Sequence, residues 1–194
     1  MSQAARDKAE RFLSHLEPIQ RTLSAHCRRA LFDSSEVADA LQSAVVFAYR
    51  DFDLYAEGTN FRAWMFRYVS YEVLNRNRAA ARRHSATLPA DLAATAPEGC
   101  QDNSIIDRLL DDPDLVLDQC EDAIAQAVLD LPETERSIFL LRAIGEFKYR
   151  EIAEILEIPV GTVMGLLSRS RDRLRHSLAE YGRTHGLLPG KESE

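Results

Sequence analysis

Apolar side chains recur every three or four residues along most of this chain, which is the spacing of amphipathic α-helices. The first such stretch covers residues 6–31. Its apolar side consists of Phe12, Leu16, Ile19, Leu23 and Cys27. Pro18 lies inside this stretch. Because proline lacks the backbone N–H and clashes with the preceding turn, we expect the helix to kink or restart there.

A second helical stretch runs to about Phe52 and follows Asp33, Ser34 and Ser35, whose side-chain oxygens can accept hydrogen bonds from its free N–H groups. The predicted inner side of this helix carries Val37, Leu41, Ala44 or Val45, Ala48 and Phe52. The predicted outer side carries Asp39, Gln42, Ser43, Val46 and Tyr49. Residues 53–58 are predicted to form a loop, and Thr59 or Asn60 is expected to cap the following helix.

The third stretch, residues 61–84, changes from aromatic to basic along its length. A helix this apolar in its first half must be buried on more than one side or must present aromatic rings to a ligand. One polar stripe follows at spacings of four, four, three and four residues: Arg67, Tyr71, Asn75, Arg78 and Arg82. Arginine binds phosphates and aromatic rings stack on unpaired bases, so the stripe is a candidate nucleic-acid surface. The alternative is that the aromatic residues form core and the arginines a solvated face.

Residues 85–120 interrupt the helical periodicity with proline, glycine and acidic residues, which is typical of a linker. Four apolar residues inside it predict a short helix or a docking patch: Ile105, Ile106, Leu109 and Leu110. The acids most simply solvate the linker, although they could also cover a basic surface or mimic nucleic-acid charge. Helical periodicity returns at Leu115, and Gly182 is expected to end the last helix.

Three helices with a tight turn before the last are predicted in residues 131–176. The sequence Glu157-Ile158-Pro159 interrupts the pattern, and proline is well suited to the first turn of a new helix. The predicted buried side of that last helix carries Val163, Leu167, Ser170 and Leu174. Its far end carries Arg169, Arg171, Arg173 and Arg175. This layout indicates a helix-turn-helix DNA reader, with an ordinary helical hairpin and a solvated basic face as the alternative.

The pattern therefore predicts an all-α chain of two small helical domains, residues 1–84 and 115–181, joined by a flexible acidic linker at 85–114 and followed by a tail at 182–194. The composition agrees, because glycine and proline are scarce, at 8 and 7 of 194 residues. The net charge of −7 argues against a nonspecific nucleic-acid binder. Arginines nevertheless cluster at 76–83 and 169–175, so two basic patches on an acidic protein are expected.

Other classes of site find little support in the sequence. Cys27, Cys100 and Cys120 lie far apart without zinc-ligand spacing, so neither a metal nor another cofactor is expected. We find no nucleophile–base pair and no glycine-rich phosphate loop, which argues against an enzyme and a small-molecule substrate. No apolar run approaches membrane-spanning length, so membrane insertion is not expected. An odd cysteine count and the absence of a signal peptide favour a cytoplasmic location.

Two motifs in combination resemble a known family. The segments FRAWMFRYVSYEVLNRNR and LPETERSIFLLR…YREIAEILEIPVGTV…LSRSRDRLR are similar to the extracytoplasmic-function (ECF) sigma factors of bacterial RNA polymerase. The resemblance implies that the N-terminal domain binds core RNA polymerase and opens the downstream promoter element. It implies that the C-terminal helix-turn-helix binds the upstream element. The acidic linker and the lack of a sensing domain favour control by a separate partner, such as an anti-sigma protein held between the domains.

The resemblance also implies site residues at the matching positions. Polymerase contacts fall on the outer side of the second helix, at Asp39, Gln42, Ser43 and Val46. Downstream-element contacts fall on Phe61, Trp64, Arg67, Tyr71, Asn75, Arg78, Arg82 and Arg83. Upstream-element contacts fall on Pro159, Val160, Gly161, Thr162, Met164, Gly165, Ser168, Arg169 and Arg171.

The recognition helix departs from the family pattern at Met164, Gly165 and Leu166, where Lys, Ser and Arg are usual. Two cations are thereby missing from the expected DNA face. We expect weaker upstream-element binding with less salt dependence, or a preference for apolar contacts such as thymine methyl groups. The simpler explanation for Leu166 is that it packs beside Leu167.

The polymerase-binding helix departs at Ser43, where an acidic residue is common, and at Phe47, where an arginine is common. Two alternative functions also stay open at this point, the second of them motivated by Leu166 and Phe47. The chain could be a helix-turn-helix regulator that never binds polymerase, although such a regulator does not need the N-terminal aromatic helix. It could also be an interaction protein that keeps a sigma-like fold without promoter activity.

Overall fold

A computed structural model of the protein describes residues 3–85 and 121–184, and the regular structure within them is entirely helical. The prediction of an all-α fold is therefore confirmed. The described helices are α1 (Gln3–Leu16), α2 (Gln20–Ala30), α3 (Val37–Arg50), α4 (Phe61–Ser85), α5 (Glu121–Leu129), α6 (Glu133–Ala143), α7 (Tyr149–Leu156) and α8 (Val160–Thr184). Short 3₁₀ turns cover Glu17–Ile19, Ser34–Glu36 and Phe52–Leu54. The predicted linker patch at 105–110 lies outside the described residues.

The local signals at helix ends behave largely as expected. The first helix is interrupted at Pro18, which lies in the 3₁₀ turn between α1 and α2. The Asp33 carboxylate accepts hydrogen bonds from the Ser35 hydroxyl at 2.6 Å and from the Ser35 N–H at 2.9 Å, and these bonds lower the pKa of Asp33. Asn60 is the residue that caps α4, because its Oδ1 accepts from the Ala63 N–H at 3.1 Å. Thr59 instead donates its hydroxyl to a backbone carbonyl of the preceding loop.

The inner side of α3 is shifted from the predicted one. Ala40, Ala44 and Ala48 are buried, whereas Val37, Leu41 and Val45 are only half-buried. The predictions for Ala44, Ala48 and Phe52 are therefore confirmed, whereas Ala40 was missed and the larger Val37 and Leu41 were expected further inward than they lie. The fold instead places the small ones inward, since alanines allow two helices to approach closely, and α3 packs along α4.

Helix α4 is buried on more than one side, which explains its unusual apolar content. Its buried apolar residues are Phe61, Met65, Phe66, Val69 and Val73. It contacts α2 and α3 in the N-terminal half, residues 3–85, and α6 and α7 in the C-terminal half, residues 121–184. Most of the aromatic residues in this helix are therefore core.

The C-terminal half forms the predicted helix-turn-helix. Helix α7 ends at Leu156, and the next residue, Glu157, adopts a left-handed conformation with φ of 55°. The carbonyl of Pro159 then accepts the first hydrogen bond of α8, from the Thr162 N–H at 2.9 Å. The predicted buried residues of α8 are confirmed, since Val163, Leu167, Ser170 and Leu174 are all at most 1% exposed.

Two further predictions for α8 have clear outcomes. Leu166 is half-buried and packs against the core, which supports its simpler explanation. The helix continues through Gly182 to Thr184, so the expected end at Gly182 was wrong by two residues. Glycine does not stop a helix unless the chain must turn there, and inside one it costs about 1 kcal/mol.

The two halves pack directly on each other in this structure. Phe66 of α4 meets Phe147 of the α6–α7 loop edge-on, with ring centroids 4.9 Å apart. The guanidinium of Arg136 in α6 lies 4.2 Å from the ring centroid of Phe32 in the α2–α3 connection. Buried apolar residues of both halves form one contiguous core. The predicted domain boundaries at 84 and 115 stay a prediction.

Candidate nucleic-acid interface

One exposed face lies at the start of α8, opposite its buried side. This α8 face consists of Val160, Gly161, Thr162, Met164, Gly165, Ser168 and Arg169. Pro159 beside it is exposed, and Arg171 is half-buried. The helix N-terminus contributes partial positive charge and free N–H groups, which suit a phosphate. Met164, at 54% exposed, adds an apolar surface at the centre.

The two glycines of the α8 face are not required by its packing. A Cβ atom built at Gly161 or Gly165 meets no heavy atom within 4 Å. Glycine inside a helix is less stable than alanine by about 0.5–1 kcal/mol, so both positions weaken the helix without filling a tight contact. They leave the backbone of α8 open to close approach from outside.

The arginines at the far end of α8 divide into two groups. Arg173 pairs with Glu135 of α6 at 3.2 Å, and the carboxylate is almost fully buried, so this pair belongs to the packing of α8 on α6. Arg175 pairs with Asp172 one turn away at 2.6 Å. Arg169 stays exposed on the α8 face. Spacing alone could not separate these groups, because it does not reveal which acids lie opposite.

The predicted stripe on α4 is only partly free. Tyr71 is 64% exposed, and Asn75 and Arg82 are exposed as well. The other three arginines of the predicted site pair with carboxylates, in the contacts Arg67–Glu157 (4.0 Å), Arg78–Glu133 (3.2 Å) and Arg83–Glu36 (3.3 Å). Arg67 also donates to the Glu154 carbonyl at 3.5 Å. Glu133, Glu154 and Glu157 belong to the C-terminal half.

Phe61 and Trp64 pack into the aromatic core and are not part of the exposed surface of the stripe. Phe61 is 7% exposed, and its ring packs among aromatic side chains of α1 and of the 3₁₀ turn after α3. Trp64 is half-buried between Tyr55 and Tyr68, at ring-centroid distances of 5.4 and 4.9 Å. The expectation that Phe61 presents its ring to DNA is therefore corrected for this structure, because α1 closes over the start of α4.

The outer side of α3 forms a second exposed surface. Asp39, Gln42 and Val46 are exposed at spacings of three and four residues, and Phe47 is partly exposed next to them. Ser43 is half-buried, and its hydroxyl accepts a hydrogen bond of 3.3 Å from Arg76. We call the exposed residues Asp39, Gln42, Val46 and Phe47 the α3 face.

Arg76 is a residue whose role sequence analysis missed. Besides Ser43, its guanidinium contacts Glu72 at 3.6 Å and Glu36 at 3.5 Å. It therefore ties α4 to the start of α3. The Glu72–Arg76 spacing of four residues was visible in the sequence, but the link to Glu36 depends on the fold.

Comparison with known proteins gives these surfaces a context. The family model described as Sigma-70, region 4 matches residues 121–174, which include α5 to α7 and most of α8. The chain is 30% identical over 154 residues to the ECF RNA polymerase sigma factor SigW of Bacillus subtilis (strain 168), covering 79% of this chain and 81% of the relative. The chain belongs to the ECF sigma factors of RNA polymerase.

Further similarities agree with this assignment. This sigma factor is 28% identical over 142 residues to the ECF RNA polymerase sigma-E factor of Escherichia coli (strain K12), covering 73% of each chain. Its fold resembles that of the sigma factor RpoE solved in complex with the anti-sigma factor NepR from Bartonella quintana. The TM-score is 0.65 at 20% identity, over 88% of this chain and 98% of that one.

As a member of this family, the protein directs promoter-specific initiation of transcription by RNA polymerase, as the two motifs predicted. Its relatives are sigma factors, which are not enzymes. Within residues 3–85 and 121–184, no helix is both long and apolar enough to cross a membrane. In the same residues, no cluster of His, Cys, Asp or Glu side chains could hold a metal ion.

Proposed function

We propose that three surfaces of this sigma factor divide the work of initiation. The α8 face contacts the upstream promoter element, the exposed part of the α4 stripe contacts the downstream element, and the α3 face binds core RNA polymerase. The observation that carries this proposal is the α8 face itself. It lies on the second helix of a helix-turn-helix, within the segment that matches region 4.

The chemistry of the α8 face supports a particular kind of contact with DNA. Thr162 and the first N–H groups of the helix can hold a phosphate and fix the register of the helix in the groove. Met164 and Val160 offer apolar surface, which favours thymine methyl groups over hydrogen-bonded base edges. Arg169 supplies the exposed cation of this face. Upstream recognition therefore depends little on charge.

The α4 stripe suits an opened strand of the downstream element. Tyr71 presents a ring on which an unpaired base can stack, and Asn75 lies one turn further along the helix. Arg82 adds an exposed cation for the backbone. Phe61 and Trp64 act through the aromatic core beneath this surface.

The α3 face is the proposed contact with core polymerase. Asp39 and Gln42 supply polar groups, while Val46 and Phe47 supply exposed apolar area on the same side of one helix. Exposed apolar surface of this kind on a folded protein is typical of an interface. The Arg50 guanidinium lies 5.2 Å from the ring centroid of Phe47 and extends this surface.

The proposal includes a regulatory partner and a place of action. The similar RpoE structure holds an anti-sigma factor. We infer that this protein also binds a small regulatory protein between its halves, acts in the cytoplasm and catalyses no reaction itself. Affinity capture from native cells tests the partner. Recovery of polymerase without any small regulatory protein, under every growth condition tried, would count against it.

Reconstitution with core RNA polymerase on genomic DNA, followed by mapping of transcript starts, tests the proposal as a whole. We expect start sites that appear only when the protein is added. Exchange of Tyr71 and Arg82 for alanine should reduce initiation on duplex promoters more than on promoters with a pre-opened downstream element. Arg21→Ala, an exposed arginine of α2 away from the three surfaces, is the matched control. The absence of any start site stimulated by the protein would refute the assignment of these surfaces.

A further inference from the structure

One aromatic side chain of the C-terminal half is inserted into the N-terminal half. Phe147 lies in the loop between α6 and α7 and is only 2% exposed. Its ring meets Phe66 of α4 at 4.9 Å with an interplanar angle of 74°. The guanidinium of Arg62, one turn earlier on α4, lies 5.0 Å from the centroid of the Phe147 ring. An edge-to-face ring pair and a cation over a ring are both favourable geometries.

The loop that carries Phe147 is built to hold this ring in place. Glu146 adopts a left-handed conformation with φ of 50°, which is uncommon for a residue other than glycine. A Cβ atom at Gly145 would lie 2.5 Å from the Leu141 carbonyl oxygen and 2.6 Å from the Phe147 ring. The Phe147 N–H donates to the same carbonyl at 3.2 Å. Glycine at 145 therefore lets the ring fold back beside the end of α6.

Polar contacts also join the two halves. Asn60 caps α4 with its Oδ1 and donates its Nδ2 to Glu151 at 2.8 Å. Glu151 in turn accepts from the Lys148 N–H at the start of α7, so two helix N-termini are joined. Arg67 reaches the end of α7, and Arg78 pairs with Glu133 at the start of α6. These two arginines are eleven residues apart, about 16 Å along α4.

These contacts differ in how far they are shielded from water. Arg67, Arg78 and their acidic partners are substantially exposed except for Glu133, and exposed ion pairs contribute little to stability. Phe32, the other aromatic contact between the halves, stays half exposed. Phe147 is nearly fully buried, and Phe66 and Arg62 of the other half cover part of its ring, so its burial adds apolar stabilisation to closure that exposed ion pairs do not supply.

We propose that Phe147 is a latch, formed with Arg62 and Phe66, that keeps the free sigma factor closed and withholds Arg67 and Arg78 from promoter DNA. Release of the latch separates the halves and frees both arginines. A guanidinium paired with a carboxylate cannot also neutralise a phosphate, so the closed form binds the downstream element through fewer cations. This inference rests on the proposed DNA-binding role of the α4 stripe.

The full-length chain with donor and acceptor dyes on Leu54→Cys and Ser177→Cys tests closure directly. Both positions are exposed and lie in different halves; Cys100 and Cys120 are replaced by serine in this background. We expect high energy transfer in the parent protein and a marked loss in Phe147→Ala, with helical circular dichroism retained. Leu174→Ala is the matched control. It removes a fully buried side chain inside the C-terminal half and should leave energy transfer unchanged.

The salt dependence of binding to a mixed-sequence single-stranded oligonucleotide tests whether Arg67 and Arg78 are withheld from DNA in the closed form. Two freed arginines should steepen the dependence of log K on log salt by about 1.4 in Phe147→Ala. As a control, the Phe147→Ala protein is held closed by a short reducible cross-linker between Asn60→Cys and Glu151→Cys. Its dependence of log K on log salt should stay shallow until the cross-linker is reduced.

The outcomes distinguish a failure of the latch from a failure of the proposed DNA-binding role of the α4 stripe. Unchanged energy transfer in a helical Phe147→Ala protein would overturn the latch. Lost transfer without a steeper slope would overturn the withholding of Arg67 and Arg78. If opening occurs but the Arg67→Ala and Arg78→Ala versions of the opened protein bind the oligonucleotide as tightly as their parent, the proposed DNA role of the stripe fails while the latch stands.

Discussion

Acidification should destabilise this protein through one buried imidazole. His26 of α2 is 1% exposed, and its ring lies edge-on to Phe66 of α4 at 5.3 Å. Its Nδ1 is buried without a hydrogen-bond partner. Burial removes the imidazole from solvent, which favours its neutral form and lowers the pKa of His26 from 6.5 to about 4.

The direction and size of the effect follow from that pKa. The unfolded chain binds a proton at His26 below pH 6.5, whereas the folded protein binds it only near pH 4. Stability is therefore full above pH 6.5 and falls as the pH drops from 6.5 to 4. At about 1.4 kcal/mol per pKa unit, the whole loss is about 3 kcal/mol, of which about 2 kcal/mol appears between pH 7 and pH 5.

Urea unfolding at pH 7, 6 and 5 measures this loss. Trp64 is the single tryptophan and lies half-buried in the aromatic core, so its fluorescence and far-ultraviolet circular dichroism report the same transition from two probes. His26→Leu is the control, because it removes the titrating group and keeps an apolar side chain at the site. If the parent and His26→Leu proteins lose stability equally between pH 7 and pH 5, His26 is not the buried neutral group inferred here.

Three shorter predictions concern other parts of the fold. Gly165→Ala should raise the free energy of unfolding by about 0.5–1 kcal/mol, whereas Gly145→Ala should lower it. The reason is that a Cβ atom finds open space at position 165 and meets close neighbours at position 145. Equal effects of the two substitutions in urea unfolding would contradict this prediction. Burial raises the pKa of Cys27 to about 12, so peptide-resolved mass spectrometry should find it unmodified by iodoacetamide at pH 8 until the protein unfolds. Met164→Lys should tighten binding to upstream-element DNA and steepen its salt dependence by about 0.9; an unchanged slope would place this side chain away from phosphates.

Much of the local structure could be predicted from sequence because it depends on neighbours in the chain. The buried side of α8 follows from helical spacing at Val163, Leu167 and Leu174. The restart at Pro18 and the cap at Asn60 follow from backbone chemistry. Each of these features is decided within a few residues, where the allowed backbone geometries are few.

The candidate DNA surfaces were only partly predictable. The α8 face was expected correctly as an exposed surface, because it is the reverse of a buried stripe on the same helix. The five positions of the α4 stripe are exposed as well, but periodicity cannot say which of its arginines pair with acids of the other half. Phe61 and Trp64 have the composition of a base-stacking surface, yet they pack against α1 and the turn after α3.

The sequence by itself thus determined the helices, most of their ends and the family to which the chain belongs, since each depends on local spacing and local motifs. The tertiary structure alone decided which cations are free. Arg78 and Glu133 are 55 residues apart, and Asn60 and Glu151 are 91 apart, so no periodicity relates them. Charge pairing, burial of His26 and insertion of Phe147 all depend on what the other half of the chain places opposite, and only folding brings those groups together.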